Sequence, residues 1–226
     1  LKASGGRSLA VVAATDASGE VAVQNARRIF PDEGIALKVA RIDLRATDAS
    51  SQLAAVASND IKAIYSAYSG GGASVVVKSY HDLGLQQPVI VGYANVNAAF
   101  IALIKDVLPT RLLGTSIAAL VPAALGNAAQ RERSLAFARR YQEVYGERPD
   151  MLNLIGKLSV DTAEAVLRNV KNPADTKAVR QYLESTRIDS LHTIRFSPDN
   201  HVGLTDADVM IVELKAGSWV KADPIP

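Results

Sequence analysis

The stretch that most constrains the fold is residues 61–93, which read IKAIYSAYSGGGASVVVKSYHDLGLQQPVIVGY. An apolar run at 63–68 predicts a strand, a serine and three glycines at 69–72 interrupt it, and apolar residues at helical spacing follow over 73–83. A second apolar run at 89–91 predicts another strand. Two strands joined through a helix pair in parallel, with a right-handed crossover. Because ligands of parallel sheets bind beyond the carboxyl ends of the strands, function is expected there.

The same alternation of strand and helix precedes this stretch. Residues 8–14 form a continuous apolar run, which is typical of a strand covered on both faces. A helix is predicted over 20–30 and a second strand over 37–44, and Thr47 with Asp48 is expected to cap the next helix. This order predicts an α/β fold in which a doubly wound parallel sheet carries helices on both faces.

Beyond residue 93 the pattern becomes mainly helical. Helices are predicted over 98–108, 127–145, 150–170 and 175–186, and strands over 112–121, 191–196 and 209–214. A change from α/β to a helical block and back to strands indicates two lobes that the chain crosses more than once. We therefore expect residues 1–126 and 206–226 to form one α/β lobe, and residues 127–205 to belong to a second, incomplete lobe.

Composition and motifs exclude several function classes. A net charge of +2 in 226 residues, with no dense basic patch, argues against nucleic acid as a partner. The sequence has no cysteine, so a thiol nucleophile and a zinc–thiolate site are excluded. The glycines at 70–72 match neither of the common phosphate-binding patterns, and the three histidines lie in unrelated contexts. No cofactor or metal is expected, and an enzyme on a Rossmann-like sheet is disfavoured.

Small polar residues and tyrosines follow three of the predicted strands. Thr15, Asp16 and Ser18 follow the first strand, where they either cap a helix or face a ligand, and the similar residues at the other strand ends favour the ligand. Tyr68 precedes the glycines and is interpreted as a stacking wall for a ligand that approaches the backbone there.

Several segments together resemble type I periplasmic solute-binding proteins of the leucine/isoleucine/valine-binding family. They are IYSAYSGGGA at 64–73, FARRY at 137–141, YGERPD at 145–150 and IRFSPDNH at 194–201. Their order and spacing cover nearly the whole chain. The resemblance implies two lobes that close around a small molecule and hand it to the membrane subunits of an ABC transporter. It also implies a periplasmic or membrane-anchored extracytoplasmic location and no catalysis.

The resemblance further implies that residues 1–126 and 206–226 correspond to the second lobe and that most of the first lobe is missing. We therefore expect the isolated chain to bind a separate first-lobe fragment or to self-associate. The positions that match ligand-facing places in the family are Thr15, Asp16, Ser18, Tyr68, Ser69, Tyr93 and Asn95.

The chain departs from the amino-acid binders of the family at two places. Those proteins usually carry an aromatic residue where Ser18 stands and an acid in the loop that here reads YANVN at 93–97. Only Asp16 remains to pair with an α-ammonium group. The expected ligand is therefore a small carboxylate, either an amino acid or an aromatic acid. A sensory domain of the same fold is the alternative to transport, because the fold does not distinguish the two.

Overall fold

The computed structural model describes residues 5–225. Residues 1–4 and 226, which the sequence-based division assigns to the second lobe, lie outside the described part. The chain forms two compact units: the sheet unit, Leu1–Thr115 with Ile211–Pro226, and the helical unit, Ser116–Met210. The division predicted from the sequence, at 126/127 and 205/206, stays a prediction about lobes.

One sheet of seven strands organises the sheet unit within the described residues. Its strands are β1 (Ser8–Ala14), β2 (Ala36–Ile42), β3 (Ala63–Ala67), β4 (Val89–Val91), β5 (Leu112–Ile117), β8 (Val209–Lys215) and β9 (Ser218–Lys221). Their spatial order is β2-β1-β3-β4-β5-β8-β9. The first five strands pair in parallel, whereas β8 and β9 are antiparallel. The predicted parallel sheet is thus confirmed, with an antiparallel pair at one edge.

Helices cover both faces of this sheet. They are α1 (Ala17–Ile29), α2 (Ser50–Val56), α3 (Gly70–Asp82) and α4 (Ala98–Ile104). Alternate residues of β1 enter different hydrophobic clusters: Val12 packs with α2, α3 and α4, and Val11 packs with α1. A strand buried on both faces reads as an uninterrupted apolar run, which is why residues 8–14 predicted it. The doubly wound arrangement is confirmed.

Several helix ends differ from the predicted ones. Helix α1 begins at Ala17 rather than residue 20, because Asp16 is the capping residue. The three glycines form the first turn of α3 instead of a loop. Ala49, not Thr47 or Asp48, occupies the N-cap of α2. Helix α4 ends at Ile104, four residues before the predicted end at 108.

The helical unit contains three long helices and a short hairpin. These elements are α5 (Ala128–Tyr145), α6 (Met151–Asn169), α7 (Thr176–Ser185), β6 (Arg187–Asp189) and β7 (Thr193–Arg195). The side chains of Asn127, Asp150 and Asp175 accept hydrogen bonds from the first turns of the helices, and left-handed Gly146 ends α5. The three predicted helices are therefore confirmed. The prediction missed β6 and β9, each too short to show a period.

Candidate ligand-binding edge of the sheet

The strand order creates a switch point between β1 and β3. The chain leaves β1 for β2 through α1 on one face, then returns past β1 to β3 through α2 on the other face. The loops that follow β1 and β3 therefore diverge, and such a point in an open parallel sheet is where ligands bind. All seven residues predicted to face a ligand lie in the loops or first helical turns that follow β1, β3 and β4.

The turn after β1 is built around the carboxylate of Asp16. Its Oδ1 accepts the backbone N–H of Gly19 at 2.8 Å and the hydroxyl of Ser18 at 3.1 Å. Thr15 is held by its own N–H, which donates to the carbonyl of Ile42 at 3.1 Å. Thr15 and Ser18 are exposed and Asp16 is half-buried. The capping interpretation is therefore correct for Asp16, and the hydroxyls beside it remain accessible.

Arg41, which the sequence did not single out, stiffens this turn. Its Nη1 donates to the carbonyl of Ala14 at 2.9 Å, and its Nη2 pairs with the carboxylate of Glu20 in the first turn of α1. The guanidinium thus joins the end of β1 to the start of α1. No sequence signal distinguishes Arg41, because it is one of the polar residues that alternate with apolar residues along β2.

Tyr68 lies in the interior, with 5% of its surface exposed. Its hydroxyl donates to the carbonyl of Ile42, and its ring packs against Gly72 so closely that a Cβ there would lie 2.4 Å from Cδ1. Burial raises the pKa of the Tyr68 hydroxyl, and the carboxylates of Asp43 and Asp16 raise it further. The phenol therefore stays protonated and remains a donor to the carbonyl.

Asn95 is completely buried and uses both ends of its amide. Its Nδ2 donates to the carbonyl of Tyr68 at 2.6 Å, and its Oδ1 accepts the N–H of Gly70 at 2.8 Å. Gly70 has a φ of +58°, a conformation that favours glycine. Asn95 therefore fixes the backbone on both sides of Ser69, whose hydroxyl is exposed.

The seven predicted residues divide into two groups. Four of them present exposed side chains at this edge: Thr15, Ser18, Ser69 and Tyr93, the last with 55% of its surface exposed. Asp16 is half-buried, and Tyr68 and Asn95 are turned inward, where they hold neighbouring backbone. Their predicted contact with a ligand stays a prediction.

Residues 5–225 contain no group of three or more His, Asp or Glu side chains that could hold a metal ion. No helix within this range is long and apolar enough to cross a membrane.

The family model described as periplasmic binding protein matches residues 1–218. The chain belongs to this family. It has no match among curated proteins. The family and the solved structures that resemble the chain are binding proteins rather than enzymes, in agreement with the sequence-based prediction.

Three solved structures illustrate the likeness. An extracellular ligand-binding receptor from Rhodopseudomonas palustris HaA2 shares 16% identity with a TM-score of 0.85, over 98% of this chain and 65% of its own. A leucine-binding protein from Thermotoga maritima MSB8 shares 19% identity with a TM-score of 0.77, over 98% of this chain and 61% of its own. An ABC transporter solute-binding protein from R. palustris, in complex with benzoate, shares 20% identity with a TM-score of 0.72, over 97% of this chain and 59% of its own.

These structures establish the fold as that of type I periplasmic binding proteins. The chain spans 59–65% of the length of the three structures. They share the fold, while their sequences differ too much for residue roles to be transferred.

Proposed function

We propose that this chain is part of an extracytoplasmic solute-binding protein that delivers a small molecule to an ABC transporter. Family membership supports the binding role, and the switch point between β1 and β3 supports the location of the contact. The observation that carries the proposal is the row of exposed hydroxyls at this edge, held on turns that buried side chains fix. Preorganised polar groups on rigid elements are what specific ligand binding needs.

The ligand that we propose is a small carboxylate, either an amino acid or an aromatic acid. Helix α3 begins at this edge, and Ser69, its N-cap residue, makes no side-chain capping bond among the described residues. By contrast, Asp16 caps α1 and Asn97 caps α4 through their side chains. Apart from the adjacent residues and the backbone of α3 itself, no described atom lies within 4 Å of a Cβ placed on Gly70 or Gly71, so the first turn of α3 is open to an incoming group. Helix N-termini favour anions.

Six of the seven predicted residues have an assigned role in this proposal, and the seventh, Thr15, lies exposed beside them. The hydroxyl of Ser69 donates to the ligand, and the exposed Tyr93 ring covers it. The hydroxyl of Ser18 donates to the carboxylate of Asp16 and orients it. Asp16 pairs with an ammonium group if the ligand has one. Tyr68 and Asn95 act indirectly, since their side chains keep the turn before α3 in place.

The experiment is a binding panel on the full-length natural protein. We expect calorimetry to detect leucine, 4-methylpentanoate or benzoate, and neither a sugar nor a nucleotide. Leucine and 4-methylpentanoate differ only in the ammonium group. If Asp16 pairs with that group, Asp16→Asn should weaken the binding of leucine and leave the binding of 4-methylpentanoate unchanged. Ser69→Ala should weaken the binding of every carboxylate in the panel, whereas Ser159→Ala, on an exposed face of α6, should change the affinity for none of them. A panel that responds only to sugars or nucleotides refutes the carboxylate, and normal solute uptake by cells lacking the gene refutes transport in favour of sensing.

A further inference from the structure

His192 lies where the two connections of the helical unit come together. The chain passes between the compact units at 115/116 and again at 210/211. A 3-10 turn, Ala118–Leu120, follows the first passage, and a second 3-10 turn, Asp206–Asp208, precedes the other. The imidazole of His192, with 1% of its surface exposed, reaches both turns.

The two ring nitrogens make different hydrogen bonds. The backbone N–H of Ala119 donates to Nε2 at 3.1 Å, and Nδ1 lies 3.0 Å from Oδ1 of Asp208. Because a backbone N–H only donates, Nε2 must be the unprotonated acceptor. Nδ1 then carries the proton and donates it to the carboxylate. The ring is therefore neutral, in the Nδ1–H form.

Both the Asp208 carboxylate and the backbone of His192 make further hydrogen bonds. Oδ2 of Asp208 accepts the N–H of Thr205 at 2.9 Å and its hydroxyl at 2.8 Å. The carbonyl of His192 accepts the N–H of Ser190 at 2.9 Å, and the carbonyl of Ser190 accepts Nε of Arg133 at 2.5 Å. The backbone of His192 is thus connected to Arg133 on α5 through Ser190.

We propose that neutral His192 is a positioning residue that ties the two connections of the helical unit to each other, and that protonation of its ring releases them. A proton on Nε2 would face the N–H of Ala119 and replace a hydrogen bond by two opposed donors. Residues 116–120 and 205–210 are held through the ring as one body only while it is neutral.

The charges around the ring agree with this role. Burial lowers the pKa of His192, Asp208 opposes the shift, and Arg133 on α5 adds to it. On α6, Asp161 pairs with Lys157 and accepts the hydroxyl of Ser190, and neither charge is among those that shift the pKa of His192. Since the pKa in the folded state lies below the ordinary 6.5, the stabilisation is complete above pH 6.5 and is lost as the pH falls below that value.

The test follows the Ala119 amide by hydrogen exchange and the ring by nitrogen NMR, between about pH 5 and 8. We expect Nε2 to be the unprotonated nitrogen at neutral pH. Protection of Ala119, relative to the Val170 amide inside the same unit, should fall up to about tenfold per pH unit below about 6.5. His192→Gln keeps an acceptor that does not titrate, so protection there should be independent of pH. His201→Gln removes an exposed histidine of the same unit and should leave the wild-type profile unchanged.

An Nε2–H ring at neutral pH, or Ala119 protection that stays flat relative to Val170 in the wild type, overturns the proposal. So does a His192→Gln profile that keeps the wild-type slope. If that variant does not fold, the tautomer and the wild-type profile still decide. No ligand enters the experiment, so its outcome is separate from that of the proposed function.

Discussion

Gly19→Ala should destabilise the sheet unit although alanine is the better helix former. A Cβ on Gly19 would lie 2.1 Å from the carbonyl oxygen of Ala14 and 2.8 Å from its carbonyl carbon. Non-bonded carbon and oxygen approach to about 3.3 Å, so α1 would have to retreat by about 1 Å. The opposing atoms are backbone at the end of β1, which is paired on both sides and cannot give way by rotating a side chain.

The magnitude follows from three contributions. Overpacking costs about 3 kcal/mol at the upper end of its usual range, since backbone meets backbone. Losing the cap bond between Asp16 and the Gly19 amide costs about 1 kcal/mol more. The higher helix propensity of alanine stabilises the variant by about 1 kcal/mol. The net loss is therefore about 3 kcal/mol, or a fall in Tm of about 6–12 °C for a chain of this size.

The assay is urea unfolding followed by the fluorescence of Trp219, the single tryptophan, which packs on the core of the sheet unit. Gly71→Ala is the matched control, because Gly71 also lies in a first helical turn, but outside its own helix backbone and adjacent residues no described atom stands within 4 Å of its Cβ position. Gly71→Ala should raise the free energy of unfolding by about 0.5–1 kcal/mol. Equal unfolding midpoints for Gly19→Ala and the wild type would refute the argument from close approach.

Two further predictions concern the pair between Arg111 and Glu213, whose carboxylate accepts Nε and Nη2 at 2.9 Å each. Arg111→Met should lower the free energy of unfolding by about 3–5 kcal/mol. Arg139→Met removes an exposed pair with Glu132 and should lower it by less than about 1 kcal/mol. Similar urea midpoints for the two variants would contradict this prediction. The Arg111 hydrogen bond lowers the pKa of Glu213, so the unfolded chain binds more protons below 4.5 and stability should fall with pH there. That fall should be smaller in the pH profile of Arg111→Met, where Lys215, 3.4 Å from the same carboxylate, remains.

Local signals made much of the fold predictable. The residues that cap α5, α6 and α7 directly precede the residues with helical apolar spacing, so the starts of these helices could be predicted from the sequence. The run at 8–14 predicted β1 because a strand covered on both faces needs apolar residues at every position.

What the sequence could not supply depends on distant contacts. The glycines at 70–72 suggest a loop by composition, yet they form the first turn of α3, where Asn95, from the turn after β4, accepts the N–H of Gly70. Tyr68 reads as a free aromatic beside them, whereas its ring fills the space that Gly72 leaves open. His192 shows no motif, and its role rests on segments more than ten residues away in the chain.

Asn95 offers the sharpest test of how this edge is held. Asn95→Asp keeps the acceptor for the Gly70 N–H but replaces the Nδ2 donor, 2.6 Å from the Tyr68 carbonyl, by an oxygen. In an ionised carboxyl this oxygen repels the carbonyl, and in a protonated one its hydroxyl can donate. Burial should raise the pKa of the new carboxyl, so the folded state binds more protons than the unfolded state above about pH 4. The free energy of unfolding of Asn95→Asp should be about 1–3 kcal/mol lower than that of the wild type at neutral pH, and part of this loss should be recovered on acidification.

Asn127→Asp is the control for Asn95→Asp, since an aspartate caps α5 as well as an asparagine does. Urea unfolding of both variants at neutral pH and near pH 5 makes the comparison. If Asn95→Asp is as stable as the wild type at neutral pH, the buried amide does not hold the turn, and the assignment of Ser69 to a preorganised site fails with it. If stability falls while carboxylate affinity per folded molecule is unchanged, the amide supports the fold but not the ligand. Loss of both, with recovery of both in acid, is the outcome that the two hydrogen bonds predict.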